Sequence, residues 1–165
     1  MRGGIATLAM SFGLAAGAAL AQPAPKSPPP PHFPWADQAA PMVAGVSLGE
    51  SRGKVVAALG QPDATSAQPA APGQFVLSYK ARGINVVGSG KQGVFAVTLL
   101  SPAAGAVGAV HVGDNLPTVL RAWGRPRTVN GPYGIYDGKG FLAIVQFDPA
   151  TMLVAHLGIA SKSID

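Results

Sequence analysis

Slid against itself by 64 residues, the chain matches at Val46, Gly49, Val55, Ala58, Gly60 and Pro62, which fall on Val110, Gly113, Val119, Ala122, Gly124 and Pro126. Six identities in seventeen positions, several at glycines and prolines that set backbone geometry, mark an internal duplication. Tyr79 and Gly83 correspond to Tyr136 and Gly140 at an offset of 57, and the run Val94 to Leu99 corresponds to Met152 to Leu157 at 58. The first copy therefore carries a seven-residue insertion, placed in Gln68 to Gln74. A unit of about 55 residues buries too little surface to stand alone, so the two copies are expected to share one core.

Each copy opens with a glycine turn, Gly49 or Gly113, followed by Ser51 or Asn115. Both are good helix N-caps, because a side-chain oxygen accepts from the first free backbone amides. The spacing then predicts short helices over Arg52 to Leu59 and Leu116 to Trp123, with Pro117 in the first turn, where its missing N–H is harmless. Val55 with Leu59, and Val119 with Trp123, stand four apart and form the buried stripe. Gly60 and Gly124 are expected in a left-handed conformation past the helix ends, and Pro62 and Pro126 prevent continuation.

Strands are predicted over Phe75 to Tyr79, Gly83 to Gly88 and Val94 to Leu100, and again over Gly134 to Tyr136, Phe141 to Phe147 and Met152 to Ile159. The expected fold is α+β: two tandem units, each a short helix and about three antiparallel strands, forming one sheet with helices on one face. Residues 43–102 make the first unit and 103–165 the second.

The first residues read as an export signal, with Arg2 before an apolar run from Ile5 to Leu20 and the small triplet Ala19-Leu20-Ala21. Cleavage is expected after Ala21, which makes the protein periplasmic or secreted. The rival reading is a retained anchor, since Gly3 to Ala21 approaches the length that crosses a bilayer of about 30 Å. Residues 22–42 are dominated by Pro and Ala and read as a disordered linker in which His32, Phe33 and Trp35 are incidental. The chain has no Cys, which excludes disulfides and a lipid-bearing N-terminal cysteine.

The run Gly49-Glu50-Ser51 through Val55, Leu59, Gly60 and Pro62, followed by a strand beginning Tyr79 with Gly83-Ile84, resembles two related groups. One is the SmpA/OmlA family of outer-membrane lipoproteins, accessory to β-barrel assembly; the other is the β-lactamase inhibitor protein with its tandem units. The likeness extends over both copies, nearly all of Val43 to Ile159. It implies a binding scaffold that works through a concave sheet. Two features depart from it: the lipoproteins need a cysteine this chain lacks, and Lys91 and Gln92 stand where an inhibitor would present an acidic probe.

Little in the sequence points to catalysis or to a cofactor. His32, His111 and His156 are dispersed, with no acidic residue at metal-ligand spacing. Gly88-Ser89-Gly90-Lys91 lacks the glycine and the Ser or Thr that a phosphate loop requires, and Ser89 does not meet the nucleophile-elbow pattern. Asp63, Asp114, Asp137 and Asp148 fall at turns and caps. Removing Arg2 leaves eleven Lys and Arg against seven Asp and Glu, a mild positive bias that suits anionic envelope components better than nucleic acid.

The remaining candidate is a surface. Phe141-Leu142-Ala143-Ile144-Val145 is apolar at every position, whereas a sheet with one wet face alternates. Leu142 and Ile144 therefore mark a second apolar face, to which Met152, Val154 and His156, and Val87 and Thr98, are assigned; it is either open to a partner or covered by the proline-rich arm or a strand-end loop. Arg121, Arg125 and Arg127 form a secondary candidate. The expected function is a non-enzymatic, exported, protein-binding or inhibitor-like scaffold whose partner is another envelope or extracellular protein. The alternative is a structural or assembly accessory of the cell envelope.

Overall fold

The computed structural model describes residues 32–66 and 73–163. The export signal, the linker before His32 and most of the proposed insertion lie outside the described residues. Helix α1 spans Arg52–Leu59, capped by Ser51, whose hydroxyl accepts from the Lys54 amide at 3.4 Å. Helix α2 spans Leu116–Trp123, and the Asn115 side chain accepts from the Thr118 amide at 3.0 Å. Gly60 and Gly124 both end their helices at positive φ, but with ψ of −169° and −159°. They sit in an extended mirror-image region that only glycine occupies readily, not in the left-handed helical region expected from the C-cap pattern.

The strands are β1 (Ala64–Ser66), β2 (Gln74–Tyr79), β3 (Ile84–Ser89), β4 (Gly93–Leu99), β5 (Ala106–Val107), β6 (Val110–His111), β7 (Thr128–Asn130), β8 (Tyr133–Asp137), β9 (Phe141–Phe147) and β10 (Val154–Ser161). Eight of them form one antiparallel sheet in the order β1-β2-β3-β4-β10-β9-β8-β7, and β5 with β6 make a separate ribbon. This corrects the expected architecture. Among the described residues the molecule is not a pair of helix-plus-three-strand units; it is dominated by a single eight-stranded sheet carrying two α-helices, a mixed α+β fold. The difference arises at the edges, where β1 and β7 are three-residue strands that exist because β2 and β8 offer them a ladder.

Alternation decides where the core lies. Leu77, Val86, Val97, Leu99, Ala143, Val145 and Leu157 are buried, together with Val55 and Leu59 of α1, Val119 and Trp123 of α2, and Val107 and Val110 of the ribbon, all in one cluster. Both helices and the ribbon thus pack on the same face of the sheet.

The duplication is visible in bonds. Gly49 donates to the Val94 carbonyl and Gly113 to the Val154 carbonyl, both at 2.7 Å; Val94 and Val154 return bonds to Glu50 and Asp114, both at 2.8 Å. Val94 therefore corresponds to Val154, an offset of 60 and not 58. A slip of two residues preserves strand alternation, so the apolar pattern could not distinguish the two registers.

Residues 32–42 also depart from the reading as a disordered linker. Phe33 is buried, with its ring 5.6 Å from Trp123, 5.2 Å from Tyr136 and 6.2 Å from Phe141, and Trp35 stands edge-on to Trp123 at 6.1 Å. These separations suit favourable aromatic pairing.

Candidate binding surfaces

The face of the sheet opposite the helices is built by the second set of alternating positions. In β9, Phe141, Ala143, Val145 and Phe147 are buried in the core, which turns Leu142, Ile144 and Gln146 outward. Ile144 stands opposite Gly158 of β10 and Ile135 of β8, Thr98 opposite Gly158 and Asn85, and Val87 opposite Val76 and Ala96. Among the described residues, Leu142, Ile144, Val87 and Thr98 on this face lie outside the buried core cluster.

At its centre lies a hollow of 220 Å³ over the seam between β4 and β10. Its floor is made of small side chains, Ala96, Thr98, Gly158 and Ala160, and Ile144, Gln146, His156 and Tyr133 rise around it. Gly158 is required by its own backbone surroundings: a Cβ there would come 2.5 Å from the Val97 carbonyl oxygen.

Of the residues assigned to this face from sequence, Leu142, Ile144, Val87 and Thr98 are half-buried on it, and His156 is exposed on it. Val154 and Met152 do not belong there. Val154 is buried in the core. A β-bulge between Val154 and His156 adds one residue to β10 and puts the two side chains on opposite faces, which simple alternation does not anticipate. Met152 lies in the turn before β10 at φ 57° and is half-exposed on the helix side.

Arg121, Arg125 and Arg127 are all exposed, but they do not act as one patch. The Arg127 guanidinium is ion-paired with Asp137, whose other carboxylate oxygen lies 3.2 Å from Lys162 Nζ. Arg125 stands on the wall of a groove between α2 and the strands β7 to β9, with a volume of 690 Å³. Leu116, Leu120, Val129, Tyr133, Phe147 and Met152 are among its lining residues. Sequence reasoning missed this groove. The signal that could have found it is divergence between the copies: Leu116 and Val129 stand where the first copy has Arg52 and Thr65.

Among the described residues, no group of three His, Asp or Glu side chains converges to hold a metal ion. The perturbed titratable groups have local explanations. Burial pushes the Tyr136 phenol up to about 12 and raises that of Tyr79 against the lowering effect of Arg82 and Arg52. Hydrogen bonds from the Thr151 and Ala150 amides and the Thr151 hydroxyl hold the Asp148 carboxyl below its usual range. Among the described residues, the geometry offers surfaces on which something can dock, and no acid, base and nucleophile are assembled together.

No protein-family model and no curated protein matches the chain. Among solved structures it is similar to an extracellular protein containing an SCP domain from Bacillus anthracis, at 10% identity and a TM-score of 0.58, over 70% of this chain and 44% of that one. It is equally similar to a cysteine-rich secretory protein from Staphylococcus aureus, at 13% identity and a TM-score of 0.58, over 80% of this chain and 50% of that one. A DUF4309-family protein from Bacillus subtilis matches at 13% identity and a TM-score of 0.50, over 72% of this chain and 83% of that one. The chain spans about half the length of the first two. At such identities the likeness concerns the fold alone.

Proposed function

We propose that this is an exported, non-enzymatic binding module whose protein partner docks on the helix-free face of the sheet. One observation carries the reading: Leu142, Ile144 and Val87 hold apolar surface in partial contact with water on the face opposite the helices. A contiguous apolar surface of this kind marks an interaction site more often than not. The hollow over Gly158 gives the face relief, so a side chain of the partner can be seated there. Export is supported by the signal-like first 21 residues and by fold likeness to two proteins described as extracellular or secretory. The resemblance to SmpA/OmlA and β-lactamase inhibitor proteins supports a scaffold over a catalyst.

The test is affinity capture from the envelope and extracellular fractions of the source organism, with wild-type protein and Ile144→Asp compared. The substitution places a charge beside the hollow and is expected to abolish capture while leaving the melting temperature unchanged. Capture that survives Ile144→Asp overturns the assignment of the partner to this face.

A further inference from the structure

The groove beside α2 has a composition the fold does not require. Leu116 and Leu120 are four residues apart on α2 and line it together with Val129 and Met152. Val129 is 69% exposed and Met152 51%, so the groove holds two of the six large apolar side chains that the described residues leave in water. The first half of the chain supplies an internal control. At the positions 64 residues earlier stand Arg52, Val56 and Thr65 in place of Leu116, Leu120 and Val129. Among the described residues, the depression beside α1 is lined by Arg52, Gln74, Phe75, Ser89, Lys91 and Gln92, polar but for one ring. Among the described residues, the wall of leucine and valine is thus particular to the second copy.

Its volume of 690 Å³ falls within the range of about 300–1,000 Å³ typical of small-ligand sites. The lining also discriminates between kinds of occupant. Pro126, Pro132 and Pro149 contribute no N–H groups to the wall. A peptide laid along it would bury backbone groups without enough partners, at a cost a hydrocarbon chain does not incur. Arg125 stands on the wall as a cation, and no acidic residue lines the groove.

We propose that this groove binds a long-chain carboxylate, its acyl chain between Leu120 and Val129 and its head toward Arg125. This site lies on the helix side of the sheet and meets the face proposed to dock a protein only at the edge residue Tyr133, and neither reading depends on the other.

The experiment is displacement of a fluorescent fatty-acid analogue from the purified protein by sodium palmitate, with hexadecanol as the neutral control. Palmitate is expected to bind saturably at one site, about three-fold tighter than hexadecanol, the scale of an exposed ion pair. Arg125→Gln should erase that difference. Val129→Asp should weaken palmitate more than ten-fold; should it lower the melting temperature, Met152→Glu gives the same readout from a turn. Ile144→Asp, on the other face, should leave palmitate binding unchanged, which keeps failure of the two proposals distinguishable. Absence of saturable displacement, or equal affinity in wild type, Val129→Asp and Met152→Glu, overturns the proposal. So does binding of a peptide copy of residues 22–31 in the groove with which palmitate does not compete.

Discussion

The Tyr136 hydroxyl donates a hydrogen bond to the carbonyl of Gly124 across 3.1 Å, tying strand β8 to the end of helix α2. Tyr79 makes the same bond to Gly60 at 3.1 Å. The sequence separations of the two pairs are 12 and 19, so the difference is the seven residues of the insertion. Tyr136→Phe leaves a buried carbonyl without its partner and is expected to cost about 1–2 kcal/mol in chemical denaturation. Tyr79→Phe should cost less, because its bond is only part-buried.

The same tyrosine sets an alkaline limit. Its folded pKa of about 12 exceeds the ordinary 10.0, so the folded state holds the proton where the unfolded chain has lost it. Its contribution to stability is present below pH 10 and is lost as pH rises toward 12. Denaturation midpoints measured from pH 9 to 12 should fall in the wild type. They should fall less in Tyr136→Phe, where the raised pKa of Tyr79 leaves a smaller slope.

Gly60→Ala isolates backbone strain from packing. No atom lies within 4 Å of where its Cβ would stand, so any destabilisation comes from holding an L residue at φ 84° and ψ −169°. The expected cost is about 1–3 kcal/mol, measured as a shift in the denaturation midpoint. Wild-type stability in Gly60→Ala would show that the helix end relaxes freely.

These helix ends were legible in the sequence because their causes are local. Ser51, Asn115, Gly60, Gly124 and the prolines after them act within a few residues, and both helices fall where spacing places them. What was hidden depends on distant partners. Thr128-Val129-Asn130 is a strand only because β8 lies beside it, and Val154 faces the core only because a bulge follows it. The sheet-face candidates Leu142, Ile144, Val87 and Thr98 came from alternation, which long strands keep. The groove came from tertiary approach of α2 to β7, which no single periodicity contains.

Phe33 and Trp35 illustrate the same limit, since their partners lie some ninety residues away in the chain. Phe33→Ala should cost about 3 kcal/mol, the usual scale for a buried phenylalanine. A Cβ at Gly108 would run into the Trp35 ring, so Gly108→Ala should displace that indole. Because Trp35 and Trp123 are the chain's two tryptophans, the displacement is readable as a red shift in fluorescence emission. Unchanged emission in Gly108→Ala would show that the ring is not held there.

The seam between β4 and β10 joins the two halves of the sheet through Leu99 opposite Leu157 and Val97 opposite Ile159, all four buried. Cutting the chain between them exposes these pairs, strips each half of the strand beside its innermost one, and separates Phe33 from Trp123. A half-chain of this size buries too small a fraction of its surface to offset the entropy of ordering it. Residues 32–102 and 107–165, expressed separately, are therefore expected to show no cooperative thermal transition. Mixing them should restore one, with a midpoint that depends on concentration because association supplies the missing core. Two fragments that each melt sharply, at concentration-independent midpoints, would mean that the seam is an interface between finished structures.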